Sequence, residues 1–220
     1  MMQISESSIK YFQDQLLKWF KLNGRSFPWR NKSATNYIRI ISEVLLQRTK
    51  AETVANYFNS FIKEFPSWKQ LGEASQNDLE EMLKPLGLQK QRAGRLYKLA
   101  QEMRKRNGRF PRAKDQVAEM AMMGQYITNA YELFILKKPS PLLDVNMARV
   151  LERYFGPRKL SDIRYDPYLQ DLSNKIVKHI KYKEINWAIL DFGSIICTKK
   201  NPKCSNCLLS VKCKFHQSLE

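Results

Sequence analysis

The four cysteines of this chain lie within its last 24 residues, and none occurs before Cys197. Their spacing is C-x6-C-x2-C-x5-C, and the positions are Cys197, Cys204, Cys207 and Cys213. Loops of this length can turn four thiolates inward around one metal centre. The sequence therefore predicts that the end of the chain folds around such a centre.

Three kinds of cysteine site remain open at this point. Disulfides are disfavoured, because the N-terminal residues show no secretory signal and we expect a cytoplasmic protein, nucleoid-associated if prokaryotic. Structural zinc usually involves two C-x-x-C pairs set well apart, and only Cys204 and Cys207 form such a pair. The spacing favours a four-iron, four-sulfur (4Fe-4S) cluster, with zinc as the alternative.

The charge of the chain indicates what it binds. Lysine and arginine total 38 against 21 acidic residues, so the net charge is +17. This excess favours nucleic acid as the partner, although a generally basic, solvated surface is the alternative. One group of basic residues lies in the stretch 84–114, and a second is interleaved with the cysteines, at Lys199, Lys200, Lys203, Lys212 and Lys214. No apolar run approaches the roughly 18 residues of a membrane-spanning helix, so membrane insertion is excluded.

Helical periodicity dominates the chain, and alternating strand patterns with turn dipeptides are missing. Apolar residues share one helical face in residues 9–20, a segment that Asn23 and Gly24 end, and again in residues 54–65 before Pro66. The sequence predicts an all-α fold. Further helices are predicted near residues 36–48, 77–84, 90–106, 115–121, 126–136, 144–155, 168–181 and 185–196.

Three motifs precede the cysteines, in residues 25–30 (RSFPWR), 41–49 (ISEVLLQRT) and 143–150 (LDVNMARV). In this order, and with the cysteine spacing, the chain resembles the endonuclease III/MutY-like helix–hairpin–helix DNA glycosylases from about residue 19 to residue 213. The resemblance implies a monomer that binds double-stranded DNA containing a mismatched or damaged base, and a 4Fe-4S cluster on all four cysteines.

The resemblance also implies two helical lobes. Residues 31–136 would form one lobe, which ends in the helix–hairpin–helix. Residues 1–30 and 137–220 would form the other, with the cluster loop at residues 197–213.

Asp144 stands where the family has its catalytic aspartate, after the hairpin and before a helix. Breaking an N-glycosidic bond builds positive charge on the sugar, and a fixed carboxylate stabilises that charge. A helix N-cap is the alternative role for Asp144, and one residue can serve both.

Glu43 and Tyr126 are the other candidate catalytic residues. Glu43 lies in an apolar run, where burial raises the pKa of a carboxyl and suits it to donate a proton; a surface position on an amphipathic helix is the alternative. Tyr126 aligns with the lysine that forms a Schiff base in bifunctional relatives, and a phenol cannot form an imine. The alternative for Tyr126 is a core aromatic at a helix start.

Arg48 is the foremost candidate DNA contact. The residue five after the pocket glutamate fills the gap left by a flipped nucleotide in this family, and a guanidinium can donate to the acceptors of the orphaned guanine. A solvated or phosphate-bound Arg48 is the alternative. Gln47 and Trp187 are further predicted DNA contacts.

The hairpin departs from the family pattern, because Met122-Met123-Gly124 stands where the family has Gly-Val-Gly. The first glycine and the valine are thus replaced by methionine. The family's turn points backbone N–H groups at a phosphate, and its glycines permit a close approach. We predict that these three residues still contact DNA but that the turn is loosened or reshaped.

These observations predict a monofunctional DNA glycosylase of base excision repair. It would flip thymine, and uracil, mispaired with guanine out of the duplex and hydrolyse the N-glycosidic bond. Tyr126 and Arg48 match the thymine-mismatch branch of the family. Only seven residues follow Cys213, so no C-terminal domain that reads 8-oxoguanine is expected. The alternatives are a MutY-type adenine glycosylase, a glycosylase for another modified base, and a non-catalytic Fe-S DNA-binding protein.

Overall fold

The computed structural model describes residues 4–219, and between these limits the chain forms helices without a strand, which confirms the all-α prediction. Short 3₁₀ turns supplement the α-helices, two of them at the cysteines (Cys204–Asn206 and Ser210–Lys212). The α-helices are α1 Glu6–Asn23, α2 Asn36–Leu46, α3 Ala51–Glu64, α4 Trp68–Glu73, α5 Gln76–Leu83, α6 Gln89–Lys105, α7 Lys114–Ala118, α8 Gln125–Phe134, α9 Val145–Phe155, α10 Pro167–Val177, α11 Tyr182–Ile195 and α12 Lys214–Gln217.

Three of the differences from the predicted helices have a clear local reason. Helix α2 ends before Arg48, because that residue has φ +57°, outside the right-handed helical region. Helix α10 ends at Val177, and the ring of His179 then accepts the N–H of Lys181 at 3.0 Å. Helix α4 was not predicted, since six residues capped by Ser67 are too short to show a periodic pattern.

The chain divides into two compact units. We call residues 4–25 and 137–219 the cysteine unit, and Ser26–Leu136 the hairpin unit. The segment 26–30, which the sequence analysis grouped with the N-terminal helix, falls in the hairpin unit. Its Trp29 is buried, with its ring centroid 5.1 Å from that of Phe58.

The cysteine unit is built from α1, α9, α10 and α11 around one apolar core. In this core, Phe12 of α1 meets the rings of Tyr154 and Phe155 at centroid distances of 4.9 and 5.1 Å. Asp191 of α11 is fully buried, and it accepts bonds from the backbone and the guanidinium of Arg25 at 2.9 and 2.8 Å. A buried carboxylate is tolerated only when it is paired in this way, so Asp191 fixes the segment that follows α1.

The hairpin unit has a second core, to which α2, α3, α5, α6 and α8 contribute buried side chains. Buried tyrosines tie loops to this core. The Tyr37 hydroxyl donates to the carbonyl of Phe65 at 2.6 Å, and that of Tyr131 donates to the carbonyl of Pro111 at 2.7 Å. In the described range of residues 4–219, no helix has the length and apolar character to cross a membrane.

Candidate active site and cysteine loop

Glu43 and Tyr126 are 83 positions apart in sequence, and the fold of the hairpin unit brings them together. Glu43 faces the core from α2 and is only 3% exposed. The Tyr126 hydroxyl, on the first turn of α8, donates to Glu43 Oε2 at 3.0 Å. The buried carboxylate of Glu43 is thus hydrogen-bonded to the phenol of Tyr126. The pair provides hydrogen-bonding groups, but neither side chain carries an amine.

The Gln47–Arg48 turn follows α2 directly. Arg48 is exposed and has φ +57°, a left-handed conformation that is unusual for a residue with a Cβ. The Gln47 side chain points the other way, with its Nε2 3.5 Å from the carbonyl oxygen of Met122. The turn therefore carries Arg48 outward while Gln47 reaches the hairpin.

The hairpin turn retains the backbone shape for which glycine is suited, but methionine occupies the position. Met122 has φ +65°, whereas Gly124 has an extended φ of −62°. Met123 is 1% exposed and fills the core, and its carbonyl accepts the Thr128 hydroxyl at 2.8 Å. The turn is thus anchored by Met123 and Thr128, and the strain falls on Met122.

This arrangement predicts opposite effects at the two methionines. Replacing Met122 by glycine removes a left-handed strain of roughly 1–2 kcal/mol and adds about 0.5–1 kcal/mol of unfolded-state entropy. We expect Met122→Gly to leave the free energy of unfolding unchanged or slightly raised. Met123→Gly, the matched control, empties a buried site and should lower it by about 2–5 kcal/mol. Denaturant titration measures both, and equal losses would contradict the assignment of strain to Met122.

Asp144 is the N-cap of α9 in the cysteine unit, and its carboxylate is held at both oxygens. Oδ1 accepts the backbone N–H groups of Asn146 and Met147 at 2.9 and 2.8 Å, and Oδ2 accepts the Asn146 side chain at 2.7 Å. Burial raises the pKa of Asp144 above its usual range, and these bonds oppose the rise. The cap and the fixed carboxylate occur together, as the sequence analysis allowed.

The segment that leads to Asp144 is anchored to α11 by Asn186, which sequence reasoning missed. The buried side chain of Asn186 accepts the N–H of Leu142 at 2.7 Å and donates to the carbonyl of Ser140 at 3.2 Å. The adjacent Trp187, a predicted DNA contact, is half-buried on α11.

Arg149, also missed, links the aspartate to the cysteine loop. Its guanidinium donates to Asn146 Oδ1 at 2.9 Å, to the Gly193 carbonyl at 2.6 Å and to the Cys197 carbonyl at 2.8 Å. Since Asn146 in turn donates to Asp144, a continuous chain of hydrogen bonds runs from the candidate catalytic carboxylate to the first cysteine.

The four cysteines are half-buried free thiols, which argues against disulfides. Burial, together with the nearby thiols of Cys213, Cys197 and Cys204, raises the pKa of the Cys207 thiol to about 11. The other three thiols are therefore close enough to Cys207 for their charges to interact with it. A bound cation would relieve the repulsion between the thiolates. No group of three or more His, Cys, Asp or Glu side chains in residues 4–219 converges as around a single metal ion.

A 4Fe-4S cluster makes a different demand on the loop from that of a single ion. Zinc draws its four sulfurs to about 2.3 Å from one point. In a 4Fe-4S cluster each cysteine binds its own iron, so the sulfurs need not converge on one point. The donor set of four neighbouring thiols fits such a cluster.

Arg153 braces this loop from α9. Its guanidinium lies 3.3 Å from Cys197 Sγ and donates to the carbonyls of Thr198 and Lys199 at 2.8 and 3.2 Å. It also stacks over the ring of Phe215, 4.6 Å from the centroid. A cation beside the sulfurs offsets thiolate charge, which suits the loop to an anionic centre.

The basic residues lie largely where a polyanion could reach them. The five lysines interleaved with the cysteines are exposed. In the stretch 84–114, Arg92 is the exception, because it is buried. The exposed members there are Lys84, Lys90, Arg95, Lys98, Arg104, Lys105, Arg106, Arg109, Arg112 and Lys114.

Comparison with known proteins shows which family and which proteins this chain is similar to. A family model described as "HhH-GPD superfamily base excision DNA repair protein" matches residues 41–175. A thymine-DNA glycosylase of Aeropyrum pernix is 31% identical over 99% of this chain and 100% of its own length. A thymine/uracil-DNA glycosylase of Pyrobaculum aerophilum is 34% identical over 95% of this chain and 93% of its own.

Among solved structures, a thermostable thymine-DNA glycosylase superimposes with a TM-score of 0.88 at 28% identity, covering 96% of this chain and 98% of that one. The family match begins within α2 and includes the hairpin and the Asp144 segment, so it contains the motifs at residues 41–49 and 143–150. The motif at residues 25–30 and the four cysteines lie outside the matched range. The chain belongs to the HhH-GPD superfamily of base excision DNA repair proteins.

Proposed function

We propose that this protein is a monofunctional DNA glycosylase that removes thymine, and uracil, mispaired with guanine. The observation that carries the proposal is the pair of Tyr126 and buried Glu43, joined at 3.0 Å, which offers a base hydrogen-bonding groups but offers the sugar no amine. Relatives named thymine-DNA and thymine/uracil-DNA glycosylases match nearly the whole chain and support the choice of base.

The reaction needs a negatively charged group that stabilises the sugar as the base departs. The C1′–N1 bond breaks with its electron pair leaving on the base, and positive charge develops on the sugar. The Asp144 carboxylate, held by Asn146 and Met147, stabilises this charge and needs no reorganisation to do so. Water adds to C1′ and gives up a proton, which neutralises the departing base anion. The products are the free base and an abasic site in an intact strand.

Extrusion of the base is assigned to the Gln47–Arg48 turn. Arg48 enters the stack as the pyrimidine leaves, and its guanidinium donates to the acceptors of the unpaired guanine. A mispaired base needs less energy to unstack, and this contributes to selectivity. The enzyme acts as a monomer on cytoplasmic DNA.

We assign to the hairpin a contact with the phosphate backbone of the DNA. An added Cβ at Gly124 would have nothing within 4 Å, so the open N-terminus of α8 can approach a phosphate. Because Met122 and Met123 are apolar, the exposed lysines and arginines supply most of the electrostatic attraction.

The four cysteines are proposed to hold a 4Fe-4S cluster whose role is to fix the basic loop around them. Protein purified anaerobically should be brown and contain iron in excess of zinc. Metal analysis and the visible absorption spectrum measure this. A colourless preparation with one tightly bound zinc would contradict the cluster.

A panel of duplexes tests the proposed function. The duplexes carry G·T, G·U, A·8-oxoguanine and an oxidised pyrimidine, and each reaction is followed by alkali to reveal abasic sites. We expect cleavage of the G·T and G·U duplexes at the mispaired pyrimidine. Preferential cleavage at adenine would favour the MutY-type alternative, and no cleavage of any duplex would favour the non-catalytic one.

The absence of an amine at Tyr126 predicts how the product strand behaves. Borohydride should not trap a covalent protein–DNA adduct, and strand scission should require added alkali or heat. Tyr126→Lys is the informative variant, because it restores an amine at this position and should introduce some trapping. Efficient trapping by the unmodified protein would show that a lysine elsewhere in the chain reaches the sugar.

A further inference from the structure

Arg92 of α6 is 9% exposed, which is unusual for a charged residue. Its guanidinium makes four hydrogen bonds. Nη1 donates to the Thr49 hydroxyl at 3.0 Å and the Leu86 carbonyl at 3.1 Å, and Nη2 donates to the carbonyls of Leu45 and Gln47 at 2.7 Å each. Three of the four partners belong to the end of α2 and the turn that follows it.

The location of these acceptors explains why a cation is buried here. The last carbonyls of a helix have no partner within it, and they carry the negative end of the helix dipole. Burial lowers the pKa of Arg92, but an arginine in a protein remains charged because its ordinary pKa lies far above neutral pH. Arg92 therefore satisfies the carbonyls of Leu45 and Gln47 and opposes the dipole of α2.

The same bonds bracket Arg48. The Gln47 carbonyl and the Thr49 hydroxyl, on either side of it, both accept from Arg92. Arg48 itself has φ +57°, a left-handed conformation that is energetically unfavourable for a residue with a Cβ. Such strain persists only where the surroundings over-determine it. Arg92 is positioned to supply that constraint from the core.

We propose that Arg92 is a positioning residue for Arg48: by holding the two neighbours of Arg48, it fixes the direction in which Arg48 projects into the duplex. The inference rests on the proposed function of Arg48 in base extrusion. Arg92 itself is buried and would act on DNA only through the turn. Lysine cannot replace it, because an ammonium lacks the planar fork that reaches four acceptors.

A double-mutant cycle tests whether Arg92 acts through Arg48. The variants are Arg92→Lys, Arg48→Ala and the double variant. The primary measurement is the fluorescence of 2-aminopurine next to a G·T mismatch, which rises when the neighbouring base leaves the stack. The second measurement is the single-turnover rate of base release, and melting temperatures are recorded for every variant.

We expect Arg92→Lys to reduce base release about tenfold or more when Arg48 is present, because small displacements of a positioned group have large kinetic effects. In the Arg48→Ala background the same change should matter less than about twofold, since residues that act as one unit are not additive. The fluorescence change should show the same non-additivity. Any loss of stability from Arg92→Lys should be equal in both backgrounds.

Arg39→Lys is the matched control. Arg39 lies on α2, and its guanidinium also binds two backbone carbonyls, those of Asn31 and Lys32, both at 3.3 Å. We expect this change to leave base release and fluorescence unaltered in both backgrounds. If Arg92→Lys fails to fold, Thr49→Val replaces it, because it removes one acceptor of Arg92 and leaves the buried guanidinium in place.

The outcomes separate this inference from the proposed function. Additive effects of Arg92→Lys, or of Thr49→Val in its place, and Arg48→Ala on fluorescence would overturn the positioning role, whether or not thymine is released. Non-additive fluorescence without release of any base would support the positioning role and contradict the proposed reaction.

Discussion

Replacing Asp144 by asparagine is expected to lower the rate of base release from a G·T duplex by about a hundredfold or more, with binding of the duplex retained. The change removes the negative charge that we propose stabilises the sugar in the transition state. The fold should survive, because asparagine is also a favoured N-cap and its side-chain oxygen can still accept the N–H of Met147. Single-turnover kinetics and duplex binding measure the two properties separately.

Asp166 provides the control. It is a second capping aspartate of the same unit, fully buried, with bonds from the N–H groups of Lys159, Leu160 and Leu169. Asp166→Asn should affect stability and leave base release unchanged. If Asp144→Asn releases the base at the native rate, or fails to bind the duplex, Asp144 serves as a cap alone and the catalytic residue lies elsewhere.

The pH profile provides an independent test of Asp144. Its pKa is raised by burial, and only the ionised carboxylate stabilises positive charge on the sugar. Base release should therefore be present above the raised pKa and be lost as the pH falls through it. This acidic limb should be missing from the residual activity of Asp144→Asn.

Replacing Arg149 by methionine is expected to have the second largest effect, on base release and on the iron content of the proposed cluster together. Four acceptors lose their donor: the carbonyls of Cys197, Gly193 and Val145 and the side-chain oxygen of Asn146. Unpaired polar groups cost about 1–3 kcal/mol each when they are fully buried. These bonds are only partly buried or exposed, so the total stability loss should be lower than that sum, about 2–4 kcal/mol. Thermal denaturation, iron analysis and kinetics measure the three effects.

Arg153→Met separates the two roles of Arg149. Arg153 braces the loop at Thr198 and Lys199, and the bond between Asn146 and Asp144 does not depend on it. It should lower iron content but retain the rate of base release per bound iron, whereas Arg149→Met should lower that rate as well. Equal rates per bound iron in the two variants would show that Arg149 supports the loop and does not support Asp144.

The helical fold could be predicted from the sequence because apolar residues at helical spacing carry that information locally. The same is true of Asp144 as a cap, since capping involves only neighbouring N–H groups. The left-handed Arg48 could not be predicted in this way, because Arg92, which holds its neighbours, is 43 positions from Thr49. A position that depends on a distant partner leaves no local pattern.

A signal for Arg92 was nevertheless present. It shares a helical face with Leu96, Leu99 and Met103, all fully buried or nearly so. A lone arginine in an apolar stripe marks a buried cation that needs acceptors. Arg92 also belongs to the group of basic residues in the stretch 84–114, and a run of basic residues conceals a member that faces inward.

The most direct test of the account is the identity of the products from one turnover on a G·T duplex. Mass spectrometry of the unheated, alkali-free reaction should detect free thymine and an intact strand that carries an abasic site. A strand already cleaved at the mismatch, or release of a base other than the mispaired thymine, would contradict a monofunctional thymine glycosylase.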